Sequence, residues 1–101
     1  MVKIILSKIA KNDLREFFNY IKRDSERYAL LERKKIETAI DRLRYAPLLG
    51  KAFSASESTR DLIFQNYSIF YEIASNRQIN VLSIHHHARS IANNPAFSDE
   101  E

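Results

Sequence analysis

The sequence predicts an α+β fold in the order β-α-α-β-β-β, with a helical hairpin packed on one face of a small antiparallel sheet. Three observations predict it. Two stretches with apolar residues at helical spacing lie side by side in the first half. A stop signal, "APLLGK" at 46–51, follows them and holds the only glycine. Three short runs rich in β-branched and aromatic residues come after it.

The first element is "VKIIL", residues 2–6, a short apolar strand, and Ser7 after it is an N-cap residue type. Leu14, Phe17, Phe18 and Ile21 then form one helical stripe, and "DSE" at 24–26 interrupts it. Ser25 caps a second helix whose stripe is Ile36, Ala39, Ile40 and Leu43. So short a break implies an antiparallel hairpin. Leu30 and Leu31 point away from the second stripe, toward the start of the first helix or a partner.

A polar loop, "SASES", is expected after Lys51, and then strands "RDLIFQ" (60–65), "YSIFYEIA" (67–74) and "QINVLSIH" (78–85). Their short connections make them antiparallel neighbours. Plain alternation puts Leu82, Ile84 and His86 on one face of the last strand, and Val81, Ser83, His85 and His87 on the other. By the same rule Tyr67 and Tyr71 share a face that Phe70 does not. Aromatic residues at such positions most often pack in a core or across strands. One domain is expected over residues 1–95, followed by an acidic tail at 96–101.

With 101 residues, 45% of them hydrophobic and 29% charged, the chain suits one folded domain. It has no cysteine, which removes thiolate chemistry and disulfides. No apolar run is long enough to span a bilayer, so a soluble cytoplasmic protein with no membrane partner is expected. Residues 1–50 hold 12 Lys/Arg against 7 Asp/Glu, whereas 51–101 hold 4 against 6. A basic first half suits an anionic partner, and the run Arg33, Lys34, Lys35 is either a solvated helix face or a docking surface for an acidic arm.

"SIHHHARSIA", residues 83–92, is the stretch most suggestive of chemistry. A metal site is not expected there, because adjacent strand residues point to opposite faces and only His85 and His87 can converge, with no nearby carboxylate. No cofactor is implied either. A histidine titrates near neutral pH and suits acid–base work, but a strand-end contact uses the same residue. Arg89 suits a phosphate or a carboxylate such as Asp61 or Glu72.

The element order, joined to "AKNDLREFFNYI", "KIETAIDRL", "PLLGK", "TRDLIFQNYSIFYEI" and "INVLSIHHHAR", resembles the RelE/ParE family of toxins from bacterial type II toxin–antitoxin systems. The ParE branch is matched by Arg60-Asp61-Leu62, by Tyr67, Ile69 and Tyr71, and by His86 with Arg89. The resemblance implies a cognate antitoxin, in a heteromeric complex, and a target that is either DNA gyrase or the ribosome with its mRNA. In the ParE branch the toxin binds gyrase and has no defined catalytic set. In the RelE branch it is a metal-independent mRNA endonuclease, for which His86, Arg89 and Arg60 would be the catalytic candidates, with His85, His87 and Tyr71 secondary. Arg33, Lys34, Lys35, Lys51 and Arg77 are the expected target- or antitoxin-binding cations. The sparse, net negative sheet half and the His-x-x-Arg ending favour the ParE branch.

Overall fold

The computed structural model describes residues 2–53 and 56–87. Its elements are β1 (Lys3–Leu6), α1 (Lys8–Lys22), α2 (Glu26–Arg42), β2 (Lys51–Phe53), β3 (Ser56–Phe64), β4 (Tyr67–Ser75) and β5 (Gln78–His86). The strands form one sheet in the order β1-β5-β4-β3-β2. The expected helical hairpin on a small sheet is present, with two differences. Strand β1 runs parallel to β5, pairing Lys3 with Gln78 and Leu6 with Val81, so the sheet is mixed. Parallel neighbours need a long crossover, and here the helices and the β2–β4 meander supply it. Lys51–Phe53, expected to lead into a polar loop, instead adds an edge strand antiparallel to β3. Arg89 and the 96–101 tail lie outside the described residues.

Both helices start where a serine caps them. Ser7 Oγ accepts the Ala10 N–H at 3.0 Å and Ser25 Oγ accepts the Tyr28 N–H at 3.1 Å. Ala10, Leu14 and Phe17 of α1, and Ile36, Ala39 and Ile40 of α2 with Leu43 at its C-cap, are buried against Leu62, Tyr67, Ile69, Tyr71, Ile79, Val81 and Ile84 of the sheet. Each large apolar side chain so covered contributes about 1.5–3 kcal/mol of transfer free energy. Leu30 and Leu31 are each 53% exposed, off the buried stripe as their spacing required.

The histidine-bearing strand departs from plain alternation. On β4, Phe70 and Tyr71 are consecutive, yet their β5 partners are Ser83 and Val81, which leaves Leu82 as an extra residue in a bulge. Val81 and Ile84 therefore both face the helices and are buried, while Leu82 turns to the helix-free face. The expected grouping of Leu82 with Ile84 and of Val81 with Ser83 is corrected by that one residue. Helix α1 pins the bulge: Ser7 Oγ donates to Leu82 O at 2.8 Å, Ser7 N donates to Val81 O at 2.9 Å, and Asp13 Oδ2 accepts the Ile84 N–H at 2.9 Å.

At the other end of the helix pair, Tyr71 fixes the turn that follows α2. Its hydroxyl donates to Pro47 O at 2.7 Å and accepts the Gly50 N–H at 2.8 Å. Arg60 Nη1 donates to Gly50 O at 2.8 Å. A Cβ at position 50 would meet Tyr71 Cε1 at 2.7 Å and its hydroxyl at 2.8 Å, so glycine is required there by proximity.

Two substitutions test these attachments by urea unfolding. Ser7→Ala removes an N-cap and a bulge contact together and is expected to cost about 1–3 kcal/mol. Gly50→Ala forces the buried Tyr71 ring to move and is expected to cost about 1–3 kcal/mol.

Candidate functional site

The bulge sets the histidine triplet. His86 pairs with Tyr67 across β4 and β5 and faces the helices, whereas His85 pairs with Ser68 and faces away. The His86 ring packs against both Phe17, 4.7 Å away between centroids, and Tyr67, 4.8 Å away, each tilted by 40°, and those two rings meet each other edge-on at 5.1 Å. His85 meets Phe70 edge-on at 5.3 Å. His87 Nε2 lies 2.7 Å from Ser68 Oγ. His85 and His87 line one shallow depression of about 460 Å³ with Thr59, Phe70 and Ser83. The split expected from the sequence is present, with His86 alone on the helix side.

Around His86 lies a polar network that sequence reasoning missed. Glu32 of α2 is buried, accepts the Tyr67 hydroxyl at 2.6 Å through Oε1, and meets the Lys35 ammonium at 3.1 Å through Oε2. Burial pushes the Glu32 carboxyl up, but the Tyr67 hydrogen bond, Lys35 and the His86 ring together outweigh it, and its pKa lies below the ordinary 4.5. Burial first, then the Glu32 carboxylate, drive the Tyr67 hydroxyl far above its ordinary 10, so it remains a donor. The signal was present in the sequence: Glu32 precedes Ile36 and Ile40 at steps of four, a carboxylate on the apolar stripe.

The remaining candidates do not gather around His86. Arg60 faces the α2 side beside Tyr71 and is tied to Gly50; its Nε is buried and has no partner among the described residues, as is Asp61 Oδ1. Tyr71 is fully buried. Burial raises its hydroxyl pKa, with the Gly50 N–H and Arg60 pulling the other way. Arg33 pairs with Glu37 at 3.1 Å on an exposed helix face and lies over the Phe18 ring. Such pairs contribute about 0–1 kcal/mol. Lys34 is exposed, Lys51 begins the edge strand β2, and Arg77 is exposed in the β4–β5 turn beside β1. No group of three metal-ligating side chains occurs among the described residues, and no helix among them is long and apolar enough to cross a membrane.

A helical hairpin on one face of a five-stranded mixed sheet is the architecture of the small RelE/ParE-type toxins. Three solved structures share it. A chromosomal ParDE toxin–antitoxin system from P. aeruginosa superposes with a TM-score of 0.70 at 19% identity, covering 85% of this chain and 96% of that one. The RelBE2 toxin–antitoxin complex from Mycobacterium tuberculosis gives 0.62 at 19% identity, covering 84% and 96%. The RelB–RelE antitoxin–toxin complex from Methanococcus jannaschii gives 0.56 at 18% identity, covering 90% and 99%. No curated protein sequence matches the chain. The family described as ParE toxin of type II toxin–antitoxin system, parDE, matches residues 4–91, and the chain belongs to it.

The Glu32–Tyr67 bond carries a pH signature. A carboxyl that titrates lower when folded stabilises the fold in full above the ordinary value of 4.5, and that contribution is lost as pH falls through the folded value. Tyr67→Phe is therefore expected to cost about 1–3 kcal/mol at pH 7, with the gap from wild type narrowing below pH 4.5. Urea midpoints for both proteins across pH 3–7 measure it.

Proposed function

We propose that this chain is the toxin of a toxin–antitoxin pair, that it arrests growth by binding DNA gyrase in the cytoplasm, and that a cognate antitoxin neutralises it. Residues 1–95 carry the activity in this reading, with 96–101 an acidic tail. The three similar structures belong to toxin–antitoxin systems, which supports the antitoxin. The exposed Lys34 and the partly neutralised Arg33 and Lys35 offer an acidic arm a place to dock.

One observation carries the choice of binding over RNA cleavage. Cleavage needs a base, an acid and cations around one phosphate. The described candidates are instead divided. Arg60 is engaged by Gly50, Tyr71 is sealed between Pro47 and Gly50, His86 packs against the Phe17 and Tyr67 rings, and His85 and His87 lie on the opposite sheet face.

The competing reading, a ribosome-dependent mRNA endonuclease, draws on the depression where His85, His87, Thr59 and Ser83 gather. Arg89, two residues beyond His87, would be its phosphate clamp.

Induced expression in a host separates the two. Gyrase-linked DNA breaks and an SOS response with intact message are expected. Message cut at start or stop codons over an intact chromosome would overturn the gyrase reading. His85→Gln and His87→Gln are expected to remain fully toxic in the same assay.

A further inference from the structure

The turn from α2 to β2 exposes apolar side chains where turns usually carry polar ones. Tyr45 is 72% exposed, Leu48 66% and Leu49 50%. The backbone beneath them is nevertheless fixed. The Tyr45 and Ala46 N–H groups donate to Arg42 O at 3.1 and 3.0 Å, and the Leu49 N–H donates to Ala46 O at 3.1 Å. On either side of the two leucines, the buried Tyr71 hydroxyl holds Pro47 O and the Gly50 N–H, and Arg60 holds Gly50 O. Two leucines that the core does not use are thus presented outward in one geometry, so little backbone entropy is lost when a partner covers them.

The ground beside this knob is apolar with a cationic rim. Leu49, Ile63 and Phe64 line a depression of about 350 Å³, and the exposed Arg42 and Lys51 flank it. Among the described residues neither cation has an ion pair, whereas Asp41, next to Arg42, is taken up by Arg44 at 2.9 Å. Asp61 also lines the depression, and its Oδ1 is buried and meets no donor among the described residues.

We propose that Tyr45, Leu48 and Leu49 form the knob by which this chain seats in an apolar, acid-rimmed pocket of its protein target; the target's identity as gyrase rests on the reading above. Arg42 and Lys51 complement carboxylates on the pocket rim. The orphan Asp61 oxygen complements an N–H or O–H donor on the same surface. A folded partner is favoured over an extended antitoxin arm because the relief is double: an arm fills the depression but offers no cavity to the projecting leucines. A protein is favoured over a nucleic acid because apolar side chains and a carboxylate lie where phosphates would run.

Capture of purified gyrase by the full-length chain, without DNA, tests the proposal. Leu48→Ser and Leu49→Ser should each weaken capture at least tenfold, and so should Arg42→Glu combined with Lys51→Glu. Ile9→Ser, which removes a similarly exposed apolar side chain from α1, should leave it unchanged. Urea midpoints establish that each variant is folded. Capture equal to wild type in a folded Leu48→Ser chain, or in the charge-reversed one, overturns the proposal, as does weakening that appears only when DNA is present. If Leu48→Ser still captures gyrase but escapes a co-expressed antitoxin, or is a monomer where wild type is a dimer, the knob belongs to that partner and the proposal is likewise overturned. A wild-type chain that captures no gyrase overturns the gyrase reading itself, and the proposal falls with it.

Discussion

One extra residue in β5 decides which side chains the sheet turns toward its helices. With Leu82 bulged out, Ile79 and Val81 before it and Ile84 and His86 after it all face inward. Without the bulge, strict alternation from Val81 would send His85 and His87 under the helices and His86 to the open face. A bulge is a local loss of ladder hydrogen bonds, so something must hold it. Helix α1 does so, through Ser7 on the Leu82 and Val81 carbonyls and Asp13 on the Ile84 N–H. The residue that starts α1 thus also sets the register of the strand that bears the histidines, more than seventy positions later.

That coupling explains what was legible in the sequence. The helices were, because each stripe repeats over several turns and each begins at a serine whose hydroxyl accepts an early backbone N–H. The division of the histidine triplet was also legible, because it depends only on alternation within three residues. The inward placement of Val81 was not, since a bulge at leucine carries no glycine or proline to mark it. The parallel β1 was hidden for a different reason: strand direction across a long crossover is decided by packing, not by any turn sequence. Glu32 was visible on the apolar stripe as a carboxylate, but its partner Tyr67 lies 35 positions away and only the fold joins them.

Two tyrosines four residues apart on the same face of β4 do parallel work. Tyr67 donates to a carboxylate of α2, and Tyr71 donates to the carbonyl of Pro47 in the turn after α2. Each buries a ring and satisfies its hydroxyl, so each gives apolar area without an unpaired polar atom. Between them Ile69 is fully buried. The Tyr67-x-Ile69-x-Tyr71 pattern therefore reads here as two anchors that fasten the helical hairpin to the sheet at two points. Arg60 belongs to the second anchor, since its guanidinium closes on the same glycine that Tyr71 holds. In the folded chain both residues are tied to the turn after α2.

The difference between the anchors is what gives the strand end its chemistry. The Tyr71 anchor ends on backbone carbonyl and N–H groups, which are neutral and closed. The Tyr67 anchor ends on a carboxylate, and the ring stacked on Tyr67 is an imidazole. A buried carboxylate is stable only with donors around it, and a tyrosine hydroxyl supplies a hydrogen bond but no charge. Lys35 supplies charge at 3.1 Å, and against the burial that raises the carboxyl's pKa, Tyr67, Lys35 and His86 all lower it. The same fold that ties Tyr71 into a neutral, closed turn thus sets His86 at the partly buried end of the anchor that holds a carboxylate.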